Sequence, residues 1–152
     1  MIQLKKILVP TDFSPHSEIA LKYGCEFAEK FGAELHLLTV VQERIGDVDA
    51  FYAVPGNYAE EVRAEAERRL ATFLDPKWNN GRQVTREAVS GVPFLEIIRY
   101  ARGNAIDLIV MGTHGRGAVK HILMGSVAER VVRKAPCPVL TVRHPEHEFV
   151  MP

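Results

Sequence analysis

Short apolar blocks alternate along the chain with longer amphipathic stretches, and that alternation predicts a layered α/β fold. Residues 7–9, Ile-Leu-Val, sit between lysines and Pro10 and read as a buried strand. Ser14 and Pro15 predict a helix start, with Ser14 as N-cap, Pro15 at the first helical position and Glu18 in the first turn. Apolar or small residues at Ala20, Gly24, Phe27, Ala28 and Phe31 recur on one helical face, and Gly32 predicts its end. Residues 35–41 are apolar apart from His36 and Thr39, as in a strand covered on both faces.

Residues 42–57 show no period and read as a long mobile loop, either a functional lid or a variable insertion. Asn57 then caps a second helix, with Val62, Ala66, Leu70, Phe73 and Leu74 as its apolar stripe and Glu65 paired with Arg69. Its other charges, Glu60, Glu61, Arg63, Glu67 and Arg68, read as a solvated face. Residues 83–90 make a polar strand suited to a sheet edge. Phe94, Ile97, Ile98 and Ala101 predict a third helix closed by Gly103-Asn104, residues 106–111 a fourth strand, 127–134 a fourth helix and 139–142 a last strand. The order βαβαβαβαβ predicts a Rossmann-like parallel sheet with helices on both faces and right-handed crossovers. Ligands of such sheets bind beyond the carboxyl ends of the strands, where strand order reverses. Those ends here are residues 10–14, residues 40–42, Gly91-Val92-Pro93 and the stretch from Gly112 onward.

With 152 residues the chain reads as one domain, residues 1–152 with a tail at 144–152, long enough to bury a core without staples. Nineteen basic residues balance nineteen acidic ones, so there is no overall field for wrapping nucleic acid or coating an anionic membrane. No stretch has the length of a membrane span, and the N-terminal apolar run stops too soon for a signal peptide. Cys25 and Cys137 form no Cys-x-x-Cys pair and read as reduced packing residues of a cytoplasmic protein.

Local charge and glycine tell more. After the fourth strand the chain reads Gly112-Thr113-His114-Gly115-Arg116-Gly117-Ala118, and Gly125-Ser126 opens the last helix. Glycines let backbone N–H groups approach an anion, and a helix start adds unpaired donors and the positive end of its dipole. Residues 112–134 hold five basic residues, Arg116, Lys120, Arg130, Arg133 and Lys134, against Glu129 alone. These features predict a phosphate site. The competing reading is structural: Ser126 and Glu129 have the spacing of a capping box, and the glycines could serve only as turn residues. The P-loop pattern is absent, and no Gly-x-Gly-x-x-Gly follows the first strand.

The run Gly112-x2-Gly115-x9-Gly125-Ser126, with Ile109-Val110-Met111 before it and Ala135-Pro136-Cys137-Pro138-Val139-Leu140 after the helix, closely resembles the ATP-binding form of the universal stress protein family. The opening residues 6–14, Lys-Ile-Leu-Val-Pro-Thr-Asp-Phe-Ser, are similar to that family's first strand and loop, and the resemblance spans residues 5–143. It implies a five-stranded sheet in the order 3-2-1-4-5, a homodimer, and an ATP-binding stress regulator that signals to a protein partner. The apolar last strand, residues 139–142 at a sheet edge, predicts that the homodimer forms through the C-terminal strand. The implied nucleotide contacts are Pro10, Thr11 and Asp12 in the first loop, and main chain at Val40 and Val41 for adenine. Met111, Gly112, His114, Gly115 and Arg116 follow the fourth strand, and Gly125, Ser126 and Val127 close on the phosphates. Asp12 would meet the ribose or a nucleotide-bound Mg2+ or Mn2+. One departure is Gly91-Val92-Pro93, where the family often has a polar cap before the proline, which puts the third helix's start in doubt.

His114 either touches a phosphate or is a solvated loop residue, while His121, His144 and His147 lack a third ligand at a metal-binding spacing. No Ser-His-Asp or Cys-His set is readable, and no carboxylate beyond Asp12 is placed to position a water, so fast hydrolysis is not implied. Two alternatives stay open: a slow ATPase or a protein that phosphorylates itself at Ser126, and a nucleotide-free interaction protein of the same fold.

Overall fold

The computed structural model describes residues 1–42, 56–79, 81–115 and 124–144. Most of the 42–57 loop, Arg116, Lys120, His121, His147 and the end of the tail lie outside the described residues. The elements are β1 (Lys6–Pro10), α1 (Pro15–Phe31), β2 (Glu34–Val41), α2 (Tyr58–Phe73), β3 (Val84–Ser90), α3 (Pro93–Gly103), β4 (Leu108–Gly112), α4 (Ser126–Lys134) and β5 (Val139–Val142), with a 3-10 turn at Pro76–Asn79. All strand pairs are parallel, in the order β3-β2-β1-β4-β5.

The alternation of side chains along each strand divides the core in two. Ile7 and Val9 of β1, Leu35 and Leu37 of β2, and Leu108 and Val110 of β4 face α1 and α2. Leu8, Leu38, Ile109 and Met111 face α3 and α4. Both faces of β1 and β4 are therefore buried, which is why their sequences show unbroken apolar runs. The polar strand β3 takes the edge, where Ala88 is its buried residue.

The helix starts follow the local chemistry, with three corrections. Ser14 accepts the Ser17 N–H and α1 ends at a left-handed Gly32, as the sequence predicts. Asn57 precedes α2 but makes no side-chain cap, because its amide donates to Glu61 Oε1 at 2.6 Å instead. Ser126 is the first residue of α4 and not its cap. Gly125 holds that place: its carbonyl accepts from Glu129 N at 3.0 Å while its N–H donates to Thr113 O at 2.6 Å, and Glu129 pairs with Arg133 rather than closing a capping box. The third correction is on α2, where Glu65 pairs with Arg68 at 2.6 Å, leaving Arg69 over the Phe13 ring, 4.2 Å from its centroid. The doubt at α3 resolves simply, for the helix begins at Pro93 with Val92 as an uncapped N-cap.

One polar group is buried deep between β2 and α3. His36 Nδ1 lies 2.8 Å from the Tyr100 hydroxyl and Nε2 lies 3.2 Å from Glu34 Oε1, which also accepts from Thr85. Burial holds the His36 pKa below the ordinary imidazole value, outweighing the opposing pull of Glu34, and pushes the Tyr100 hydroxyl up to about 12. The unfolded chain therefore takes up a proton near pH 6.5 that the folded chain resists, so stability contributed at neutral pH is lost as pH falls below about 6.5. His36→Gln, which keeps a partner for Tyr100, is expected to flatten that loss in urea-unfolding midpoints measured across mildly acid pH. A stability difference between the two proteins that stays constant with pH would show that His36 does not titrate in this way.

Candidate functional site

Strand order reverses between β1 and β4, which pair through Ile7 with Leu108 and Leu8 with Ile109. The chain leaves these two strands in opposite directions, so their carboxyl ends cannot be filled by either connection and a crevice opens between them. A cavity of about 780 Å³ occupies it, within the range of small-molecule sites.

Three groups of the predicted residues line this cavity: Pro10, Thr11 and Asp12 after β1, Val40 and Val41 at the end of β2, and Met111, Gly112, His114 and Gly115 after β4. Ser126 and Val127 close it from the start of α4. Gly125 stands beside it as the α4 N-cap, and Arg116 lies outside the described residues.

The loop after β1 is fixed by its own side chains. Thr11 Oγ1 accepts the Phe13 N–H at 2.9 Å and meets Ser17 Oγ at 3.0 Å, while Asp12 Oδ1 accepts the Ser14 N–H at 3.0 Å. Thr11 is thus spent on holding the turn, and Asp12 Oδ2 faces the glycine loop. A Cβ on Gly115 would stand 2.7 Å from Asp12 Oδ2. A side chain there would have to push the Asp12 carboxylate out of its place against the loop.

His114 is buried, with its Nδ1 3.0 Å from Thr113 Oγ1, so it is a wall of the cavity and not a solvated loop residue. Its ring lies 5.8 Å from that of His16, which in turn is 5.2 Å from His144. Among the described residues no group of three His, Cys, Asp or Glu side chains could hold a metal ion. Asp12 could reach a divalent ion only if phosphate oxygens supplied further ligands.

The basic residues of the last helix are placed differently from the expectation. Arg130 and Lys134 lie over the Phe94 ring, 5.0 and 5.7 Å from its centroid, and Arg133 pairs with Glu129. None of these three lines the cavity. Among the described residues its attraction for an anion comes from Arg69 on the α2 side and from the first N–H groups of α4, at Ser126, Val127 and Ala128, which have no intrahelical acceptor and border the cavity.

Sequence reasoning missed the wall that α2 provides. Tyr58, Glu61, Val62, Glu65 and Arg69 recur along one helical face and line the cavity. That spacing is present in the sequence, but Glu61 reads as part of a solvated face and Glu65 with Arg69 as a pair on the helix surface. Glu61 and Glu65 bring further carboxylates to the rim, engaged with Asn57 and Arg68.

The pattern of the Universal stress protein family matches residues 3–143. The chain belongs to this family. It is 38% identical over 149 residues to the universal stress protein MJ0531 of Methanocaldococcus jannaschii, covering 95% of this chain and 85% of that protein. It is 37% identical to MJ0577 of the same organism, over 93% of this chain and 96% of the relative. The solved structure of MJ0577 superposes with a TM-score of 0.82 over 95% of this chain and 99% of that one, at 36% identity. A universal stress protein solved in complex with cAMP has the same fold, with a TM-score of 0.67 and 23% identity over 93% of this chain and 98% of that one.

For a nucleotide such as ATP seated in this cavity, Gly115→Val is expected to abolish binding, because the added branches displace the Asp12 carboxylate and fill the space beside the loop. Ser126→Ala should leave the unfolding midpoint within roughly 0.5 kcal/mol of wild type, since Ser126 is no cap. Its ATP affinity should fall about tenfold or more if the hydroxyl meets a phosphate oxygen, as a hydrogen bond to a charged group is worth about 1.5–3 kcal/mol. Calorimetric titration checks both, and wild-type affinity in folded Gly115→Val would reduce the glycine loop to a turn.

Proposed function

We propose that this chain is an ATP-binding universal stress protein, one nucleotide-binding domain that works as a cytoplasmic stress-response regulator. The observation that carries the reading is the juxtaposition, at the reversal of strand order, of Asp12 against the Gly115 backbone and the open N–H groups of α4. In this reading, main chain at Val40 and Val41 reads adenine. Asp12 Oδ2 meets the ribose or a nucleotide-bound divalent cation, and the glycine loop and α4 start receive the phosphates. Such a cation would neutralise phosphate charge; the chain's own part is to orient and enclose the nucleotide.

Two proteins that share this fold have been solved in nucleotide complexes, one with cAMP and one with dAMP, which supports a nucleotide as the ligand class. Both cysteines are free, and burial raises the pKa of Cys25 to about 11, so it packs as an inert thiol, in keeping with a reducing compartment. No helix among the described residues is long and apolar enough to cross a membrane.

The site is arranged for binding more than for turnover. The buried hydroxyls nearest the first loop are engaged with one another and with the turn, and the two α2 carboxylates are paired at the rim. ATP should therefore copurify with the protein and survive incubation, with hydrolysis far below the roughly 10 per second median of enzymes. Anion-exchange chromatography of the small molecules released by heating tests this. An empty extract from protein that also fails to bind added ATP would favour a nucleotide-free interaction protein, whereas rapid, saturable phosphate release lost in Asp12→Ala would make it an ATPase.

Assembly follows from the sheet edge. β5 exposes one side of its backbone, and Val139, Leu140 and Thr141 are only half-buried, so a second copy pairing along Val139–Val142 would cover them. Sedimentation at micromolar concentration should show a species of twice 17.0 kDa. A monomer alone would remove the dimer from this account.

A further inference from the structure

We propose that Phe73 of α2 is a positioning residue for the nucleotide site, acting with Arg69 through Phe13 on Asp12. The inference rests on the reading of the cavity as that site. Phe13 has φ +62°, a left-handed conformation that a bulky non-glycine side chain rarely adopts. The conformation is what lets two consecutive polar side chains cap the same turn: Phe13 N–H donates to Thr11 Oγ1, and Ser14 N–H donates to Asp12 Oδ1. With Phe13 relaxed to an ordinary negative φ, the Ser14 N–H would turn away from Asp12 Oδ1, and the Asp12 carboxylate would lose its place against Gly115.

Such a conformation persists only where surroundings impose it. Besides packing against the core, the Phe13 ring is gripped twice by α2. Phe73 meets it edge-on, with centroids 5.2 Å apart and planes at 90°, and the Arg69 guanidinium carbon lies 4.2 Å over it. Arg69 and Phe73 are one helical turn apart, so they present a single surface to the ring. Phe13 and Arg69 border the cavity, whereas Phe73 does not, so Phe73 reaches the ligand through its neighbours, and its edge-on contact with Phe13 leads to Asp12.

The coupling is reciprocal: a nucleotide that holds Asp12 also holds α2, and a loosened α2 weakens the nucleotide. The test compares Phe73→Ala and the milder Phe73→Leu with wild type, and repeats both in a Phe13→Gly background. Glycine adopts the left-handed turn without help, so the clamp becomes redundant there. ATP affinity measured calorimetrically should fall about tenfold in Phe73→Ala, within the usual range of coupling between sites, and less in Phe73→Leu. In Phe13→Gly, whatever that protein's own affinity, adding Phe73→Ala should change it less than about twofold, the non-additivity expected of residues acting in series. Amide exchange at Ser14 in nucleotide-free protein gives a separate readout: it should accelerate in Phe73→Ala and not respond to Phe73→Ala in Phe13→Gly. An equal loss of affinity in both backgrounds, or unchanged Ser14 exchange in folded Phe73→Ala, overturns the proposal. If wild-type protein binds no ATP, the nucleotide reading fails by itself, and Ser14 exchange still decides whether Phe73 holds the turn.

Discussion

The site depends on the approach of two loops across the gap where β1 lies beside β4. Asp12 Oδ2 occupies space that a Cβ on Gly115 would claim, and a Cβ on Gly125 would stand 3.2 Å from Thr113 O. At this separation a side chain at either glycine would have to displace the Asp12 carboxylate or the Thr113 carbonyl, and the glycines leave backbone N–H groups facing the gap. Because β1 and β4 are buried on both faces by Leu8, Val9, Ile109 and Val110, the strand ends that carry these loops cannot shift without opening both halves of the core. The rigidity of the crevice is thus a property of the sheet, and the loops inherit it.

Polar burial is concentrated at the same end of the sheet. Thr11, Ser14, Ser17, Thr39, Thr113 and His114 are all buried there, and the hydrogen bonds among Thr11, Ser14 and Ser17 satisfy much of that cluster internally. Buried polar groups that are already paired do not reorganise when a ligand arrives, so the donors left over, chiefly the first amides of α4, are preoriented. His36 is the polar exception away from the crevice, on the α3 face of β2, where it is paired with Tyr100 and serves the core.

What could be read from the sequence was what depends on near neighbours. The bounds of α1 follow from Ser14, Pro15 and Gly32, and the edge position of β3 follows from its polar alternation. The start of α4 was misplaced by one residue because Gly125, lacking a side chain, gives no capping signal, while Ser126 gives a strong one that the Gly125–Thr113 bond overrides. Charge was read least well. The cations of α4 settle on Phe94 and Glu129, and Arg69 forsakes Glu65 for Phe13, because aromatic partners more than thirty positions away appear in no local pattern. The same distance hid the α2 wall of the cavity: six α2 residues line a site built mainly by other elements.

The central claim is that the backbone around Gly112–Gly115 and the first turn of α4 receives the phosphates of a nucleotide. Amide chemical shifts followed during an ATP titration of isotopically labelled protein test it most directly. The account predicts that the largest changes fall on Thr113, His114 and Gly115 and on Ser126, Val127 and Ala128, with Asp12 and Val41 moving in step. Shifts confined to the second hollow, by Lys5, Gly32, Gly81 and Arg82 at the opposite end of the sheet, or no saturable shift at all, would contradict it.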